Sequence, residues 1–331
     1  MAGSSKTIPR ALLAILADRK PHSGEVIASA MGCSRTAVWK HVSALREFGV
    51  EIHAAAGKGY CLAEPLELLE EKAIRAELTP ETSAALVELE LASVVGSTND
   101  RLLERPVEER HGLAILAERQ LKGRGRRGRR WISPFARNLY MSLGWQFECG
   151  ASELGCLPLV VALAASDVLE QAGVKHPGVK WPNDLFWGGR KLGGCLVEVQ
   201  GDASGPCTAV IGIGINVRMP RSTQEASAID QPWTDLAETG VKLSRNQLAG
   251  RLLCALLQNI QQFSEHGFEP LRAAWEQRDV LTGNDAELDF AGGSIRGRVV
   301  GISSHGALRL QSAAGIGEYA SGEVSIRHKD S

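Results

Sequence analysis

One segment limits what this 331-residue chain can fold into: Gln120-Leu-Lys-Gly-Arg-Gly-Arg-Arg-Gly-Arg-Arg-Trp131, with six cations in the nine residues 122–130 interleaved with three glycines. It is bounded by two apolar runs, Leu113-Ala-Ile-Leu-Ala117 and Leu139 to Trp145, each short enough to be a strand. Gly123-Arg-Gly-Arg-Arg-Gly128 formally matches the GxGxxG dinucleotide fingerprint. That fingerprint requires a helix directly behind it, and Trp131-Ile-Ser-Pro134 followed by a strand does not supply one. A targeting tag or nucleic-acid patch normally lies in a polar tail, whereas this run joins two strands inside a domain. Solvated filler would not need three glycines. Glycines allow positive φ and close backbone approach, and arginines make bidentate contacts to carboxylate and phosphate. The run therefore reads as a mobile loop that closes over a compound carrying both anions.

Three further clusters follow the same logic. A predicted strand, 89–98, runs into Gly96-Ser97-Thr98-Asn99, with Thr98 or Asn99 capping a helix over 100–103. Taken alone, those hydroxyls and amides read first as a cap. After a helix predicted over 159–172 comes Val179-Lys-Trp-Pro-Asn-Asp184, a strand broken at Pro182 with Asn183 and Asp184 at the break. A Gly188-Gly189 turn leads to Lys191-Leu-Gly-Gly-Cys-Leu-Val-Glu-Val199, an apolar strand with one ammonium at its mouth. A lysine sunk there needs an anion, from Asp184 or from a ligand; the alternative is a turn lysine in solvent. Lastly, Val210-Ile-Gly-Ile-Gly-Ile-Asn216 is a strand thinned by two glycines. Strand glycines mark something pressing close, and an adenine or ribose would fit there.

The first 63 residues differ from the rest. They hold eight Lys/Arg against four Asp/Glu, although the whole chain has 37 against 38, so a basic head precedes an acidic body. Helical spacing is predicted over 10–17, after Ser23 up to Gly32, and from Ser34 to Phe48. The third helix has Val38, Val42, Leu45 and Phe48 on one face and Arg35, Thr36, Trp39, Lys40 and Ser43 on the other. Two short strands around Gly57-Lys58-Gly59 make a wing. This pattern reads as a winged helix-turn-helix in which Arg35, Thr36, Trp39 and Lys40 meet DNA and Lys58 meets a phosphate; a three-helix protein-interaction module is the alternative. A connecting amphipathic helix is predicted over 66–78.

Seven scattered cysteines without a CxxC pair fit reduced thiols in a cytoplasm, and eight histidines without HxxxH or HxH spacing argue against a metal cage. Neither an apolar leader with a cleavage site nor a run of 18 apolar residues is present, so membrane insertion is not expected.

GRGRRGRRW, KWPND, GRKLGG and GIGIN, in that order, resemble the biotin protein ligases, and the helix-turn-helix with GKGY ahead of them is similar to the bifunctional biotin operon repressors. The resemblance implies an α+β protein. Its parts would be a winged helix-turn-helix (1–63), a linker helix (64–80), a mixed-sheet ligase domain of class II synthetase type (81–281) and a small SH3-like barrel (282–331). It implies that Ser97, Thr98, Asn99 and Gln120 line a biotin pocket with Arg124, Gly125 and Arg126. Arg126, Lys191 and Asp184 would surround the reacting carboxylate and α-phosphate. Arg129, Trp131, Asn183, Asn216 and Trp233 would serve the nucleotide, with Trp233 on a mobile segment covering adenine. The Thr223–Asp230 insert departs from the family pattern.

The same resemblance implies ATP with Mg²⁺ as cosubstrate, no protein-bound metal, and transfer of biotin to a lysine of a biotin carboxyl carrier protein. An adenylate-bound homodimer would bind operator DNA. A non-catalytic ligand-sensing repressor and a lipoate ligase are the competing readings.

Overall fold

In the computed structural model the described residues are 9–55, 58–220, 227, 229–290 and 292–326. Gly57 of the wing tip, most of the Thr223–Asp230 insert and Arg327 lie outside them. The head comprises α1 (Arg10–Leu16), α2 (Gly24–Met31), α3 (Arg35–Glu47), β1 (Ile52–Ala55) and β2 (Gly59–Leu62). Its caps are those the sequence predicts: Ser23 accepts from Val26 N–H, Ser34 accepts from Ala37 N–H, and Gly32 stops α2 at φ +61°. Val38, Val42 and Leu45 point into a core with Leu12, Leu16, Ile27 and Leu62. The opposite face of α3 is exposed, Trp39 included, as is Lys58 beside the wing.

The expected linker helix does not form as one piece. Residues 66–70 are non-helical, and only the short α4 (Glu71–Arg75) and α5 (Pro80–Ala85) follow. The physical reason is that the body takes the backbone groups a helix would use. Arg245 donates to Glu67 O, Asn246 donates to Leu68 O, Leu69 N–H donates to Glu118, and Glu70 N–H donates to Asn246. The Glu67 side chain in turn accepts the first N–H groups of α8 (Arg245–His266), at 2.9 and 3.1 Å, a favourable place for a carboxylate. Burial pushes the Glu67 carboxyl up, but those N–H donors outweigh it and leave its pKa below the usual value.

Between linker and tail stands a seven-stranded mixed sheet, ordered β3 (Glu88–Ala92), β4 (Leu113–Ala117), β5 (Leu139–Phe147), β9 (Cys207–Ile215), β8 (Arg190–Gly201), β7 (Asp184–Trp187), β6 (Gly178–Lys180). Only β3 and β4 run parallel. The strand expected over 89–98 ends at Ala92, and the short helix α6 (Thr98–Leu103) is capped by Ser97 rather than by Thr98 or Asn99. Strand alternation then decides the layout. Leu139, Met141, Leu143, Trp145 and Phe147 of β5, with Ala209, Ile211, Ile213 and Ile215 of β9, pack against α7 (Leu157–Gln171) and α8. Their neighbours Ser142, Gly212 and Gly214 face the other side, where the cavity lies. One segment, Ala151–Gln171, has the length and hydropathy to cross a membrane, yet it is largely buried as a core helix.

After α9 (Glu269–Arg278) the tail forms a five-stranded antiparallel sheet, ordered β13 (Gly315–Tyr319), β12 (Leu308–Ser312), β11 (Gly293–Ile302), β10 (Asp285–Phe290), β14 (Glu323–Ile326). It is docked by the Trp181 indole N–H on Gly306 O, 2.9 Å, and by a core continuous with that of the central domain.

Head and body are likewise joined. Phe48 at the end of α3 stacks on Phe135 at 6.2 Å, and Arg119 donates to Phe48 O at 2.8 Å with its guanidinium 4.9 Å from the Phe48 ring. Beneath the linker, Arg245 and Glu118 lie 2.9 Å apart at 4% and 2% exposure. Removing one member of such a pair strands a buried charge. Glu118→Ala is therefore expected to cost about 3–5 kcal/mol of stability, read from urea unfolding followed by tryptophan fluorescence; a loss below about 1 kcal/mol would contradict the buried-pair assignment.

Candidate active site

A cavity of about 340 Å³ opens between the arginine–glycine loop, the break at Trp181–Asp184, the ends of β8 and β9, and Gly322–Val324 of the tail. Its inner end is a polar knot. Gln120 Oε1 accepts from Thr98 N–H at 2.9 Å and from the Thr98 hydroxyl at 3.1 Å. Ser142 donates toward Thr98 at 2.7 Å and Asn99 at 2.5 Å, and Asn99 donates to Glu198 at 2.7 Å. Ser97, Thr98 and Asn99 are all buried. The one carboxylate of the knot, Glu198, is paired with Arg124; the remaining hydroxyls and amides suit a neutral polar ring system rather than an ion.

In the middle of the cavity the character changes. Lys191 Nζ lies 2.7 Å from Asp184 Oδ1, with both side chains mostly buried, and 5.8 Å from the Trp131 ring centre. Arg126 enters from the loop and reaches Asn183 Oδ1 at 3.5 Å. Burial and the neighbouring Arg127 hold the Arg126 pKa below its usual value, the mark of a cation kept out of water without an ion-paired carboxylate.

The loop itself is folded back. Gly125 N–H donates to Arg129 O at 2.7 Å and Trp131 N–H to Gly123 O at 2.9 Å, with a single 3₁₀ turn at Arg126–Gly128 and no helix behind it. Arg124 pairs with Asp100 at 2.6 Å and with Glu198 at 3.3 Å. Arg129 and Arg127 pair with Glu323 at 2.5 and 3.4 Å. Of the three glycines, Gly128 needs its positive φ of +73°, and a Cβ on Gly123 would sit 2.9 Å from Trp131 O. Gly125 has neither constraint, since a Cβ there makes ordinary contacts.

Thus Ser97, Thr98, Asn99, Gln120, Arg124, Gly125, Arg126, Arg129, Trp131, Asn183, Asp184 and Lys191 all line one cavity. Two expected nucleotide residues do not. Asn216 donates its side-chain amide to Thr234 O at 3.0 Å, and its own N–H binds Leu192 O, away from the lining. Trp233 lies beside Lys191 in a parallel bridge; Ile229, Asp230 and Gln231 of the same segment line the cavity instead. Pro232 O accepts Lys191 N–H and Thr234 N–H binds Lys191 O, so this strap holds the backbone of the lysine. The strand glycines have close neighbours within the chain itself. Asn99 and Trp131 of the protein press on them: a Cβ on Gly212 would lie 2.2 Å from Asn99 Oδ1, and one on Gly214 2.6 Å from Trp131.

Sequence reasoning missed Lys180, half-buried in the lining, and Glu323, which arrives from the tail. Lys180 stood inside a motif already singled out. Glu323 gave no local signal, because only tertiary docking brings it to the loop.

Residues 91–216 match the biotin/lipoate A/B protein ligase family, residues 10–61 an HTH domain, and residues 287–327 the biotin protein ligase C terminal domain. Fold and site together are therefore those of a biotin protein ligase that carries a DNA-binding head. The chain is 40% identical over 321 residues to the bifunctional ligase/repressor BirA of Escherichia coli (strain K12), covering 97% of this chain and 98% of the relative. It is 31% identical over 310 residues to that of Bacillus subtilis (strain 168), with 92% and 93% covered. The biotin protein ligase from Aquifex aeolicus, solved with biotin and ATP, aligns at 32% identity and a TM-score of 0.63 over 73% of this chain and all of that one. The chain belongs to the bifunctional biotin ligase/repressor family.

Gly212→Ala is expected to drive Asn99 off Ser142 and Glu198 and to weaken biotin binding about tenfold, near 1.4 kcal/mol, by titration calorimetry. Unchanged affinity would show that the knot does not touch the ligand.

Proposed function

We propose that the cavity activates biotin as biotinyl-5′-adenylate and then passes it to a lysine of a carrier protein. The observation that carries this reading is the meeting, under one loop, of Arg126, which has no carboxylate partner among the described residues, and the sunken Lys191–Asp184 pair beside a knot of hydroxyls and amides.

In this reading the ring of biotin lies against Ser97, Thr98, Asn99 and Gln120, and its carboxylate points at Arg126. Carboxylate and α-phosphate repel each other; Arg126 and Lys191 offset that repulsion and bear the charge that develops as the carboxylate oxygen attacks phosphorus and pyrophosphate departs. Asp184 holds the Lys191 ammonium in place. Arg124, tied to Asp100 and Glu198, anchors the loop over the product, and Gly125 lines the cavity beside it. Asn183, Arg129 and Trp131 take the nucleotide side. Asn216 and Trp233 act at one remove, through the strap that fixes Lys191.

The product is a mixed anhydride, which the closed loop shields from water. A neutral ε-amine of a biotin carboxyl carrier protein then attacks the acyl carbon, the C–O bond to phosphate breaks, the amine gives up one proton to solvent, and the amide and AMP leave. Magnesium would arrive on the ATP phosphates. Among the described residues no group of three His, Cys, Asp or Glu is placed to hold a metal ion, and no step here runs through it.

The regulatory half follows from mass action. The exposed face of α3, with Arg35, Thr36, Trp39 and Lys40, and Lys58 beside the wing would contact operator DNA. Adenylate-dependent pairing of two copies would place two heads on two half-sites and raise operator affinity with occupancy. The units this reading uses are 1–63, 64–80, 81–281 and 282–331, working in the cytoplasm, where the seven free cysteines stay reduced.

Biotin-dependent ATP–pyrophosphate exchange tests the ligase step, and Lys191→Ala is expected to slow it by roughly 10²–10³; a near-normal rate would remove Lys191 from the reaction centre. Arg126→Gly should release adenylate, seen as biotin on bystander proteins, whereas strict carrier specificity would end the retention role. Operator binding is expected to strengthen when biotin and ATP are both present, and equal affinity with and without them would end the repressor account.

A further inference from the structure

Seven cations line the cavity: Arg124, Arg126, Arg127, Arg129, Arg130, Lys180 and Lys191. Arg124 has Asp100 and Glu198, Arg127 and Arg129 share Glu323, and Lys191 has Asp184. The reading above uses Arg126 for the reacting carboxylate and α-phosphate. Lys180 remains.

It closes β6 directly opposite Asp184 in the strand register, with Nζ 5.0 Å from the centre of the Phe186 ring. No hydrogen bond or ion pair reaches that ammonium among the described residues, since Asp184 is taken by Lys191. Burial lowers the Lys180 pKa, as do Lys191 and Arg129, while Asp184 and Glu323 oppose the shift. An ammonium held on an aromatic face inside a cavity, with its counter-charge missing, is prepared for a ligand anion.

The reaction supplies three anionic centres. The carboxylate and the α-phosphate meet at Arg126 and Lys191. The third is the β,γ-pyrophosphate, whose charge grows as its bond to the α-phosphorus breaks. We propose that Lys180 grips this pyrophosphate and stabilises it as the leaving group of adenylate formation. The carboxylate oxygen–phosphorus bond forms, the bond from the α-phosphorus to the bridging oxygen breaks with its electron pair going to pyrophosphate, and no proton moves. A fixed cation on the departing group lowers the barrier because it acts where charge appears. The inference rests on the adenylate route proposed above, and it makes Lys180 a catalytic residue of the first half-reaction only.

The test uses the full chain with Lys180→Met and Lys180→Arg, three assays, and inorganic pyrophosphate as the probe. Lys180→Met is expected to slow biotin-dependent ATP–pyrophosphate exchange by about 10² and to weaken inhibition by added pyrophosphate about tenfold. Single-turnover transfer from preformed biotinyl-5′-adenylate to the carrier should stay within about twofold, and Lys180→Arg, which keeps the charge, should recover most of the exchange. Normal exchange with slow transfer in both variants would overturn the proposal and make Lys180 a proton acceptor for the carrier amine. Full activity of Lys180→Met in all three assays would overturn it too, leaving a lysine without a ligand. Absence of exchange in the unsubstituted chain would sink the adenylate route itself, a failure separable from that of Lys180 alone.

Discussion

The ion pair between Lys191 and Asp184 is the constraint on which the rest of the site depends. A cavity meant to hold two repelling anions must gather several cations before any ligand arrives, and half-buried cations repel one another. The fold meets this cost by giving nearly every cation a carboxylate from a different part of the chain. Asp100 and Glu198 take Arg124, Glu323 from the tail takes Arg127 and Arg129, and Asp184 takes Lys191. Arg126 and Lys180 are left without a carboxylate partner among the described residues. The strap at Pro232–Thr234 holds both backbone groups of Lys191, so its ammonium is aimed by two elements rather than one.

Much of this was legible because local chemistry and tertiary placement agree. Ser23, Ser34 and Gly32 are caps by residue type, and the structure uses them as caps. The glycine-rich run could be denied a helix from Trp131-Ile-Ser-Pro134 alone, and only a 3₁₀ turn forms there. Lys191 could be sunk from the apolar strand that follows it, and it is.

Elsewhere tertiary contacts overrode the pattern. Leu66, Leu68 and Leu69 have helical spacing, yet Arg245, Asn246 and Glu118 take the backbone groups that a helix there would need, and the segment stays extended. Gly212 and Gly214 announced a close approach without saying by what, and the intruders are Asn99 and Trp131. Asn216 and Trp233, assigned to the nucleotide by resemblance, both touch the strap and lie outside the cavity lining. Glu323 was invisible because its meaning depends on where a separate sheet docks.

The head and the ligase domain share side chains, which bears on how one chain runs two functions. Phe48 ends α3, and its ring meets both Phe135 and the Arg119 guanidinium. Arg119 directly precedes Gln120 of the polar knot, and Phe135 follows the arginine–glycine loop. A crystal structure with a non-hydrolysable biotinyl-adenylate analogue tests the account most directly. It should show Arg126 and Lys191 Nζ within about 3 Å of the oxygens around the acyl–phosphate junction, the hydrogen-bonding range, with the loop closed above. The account fails if that loop points into solvent and the nucleotide occupies another part of the surface.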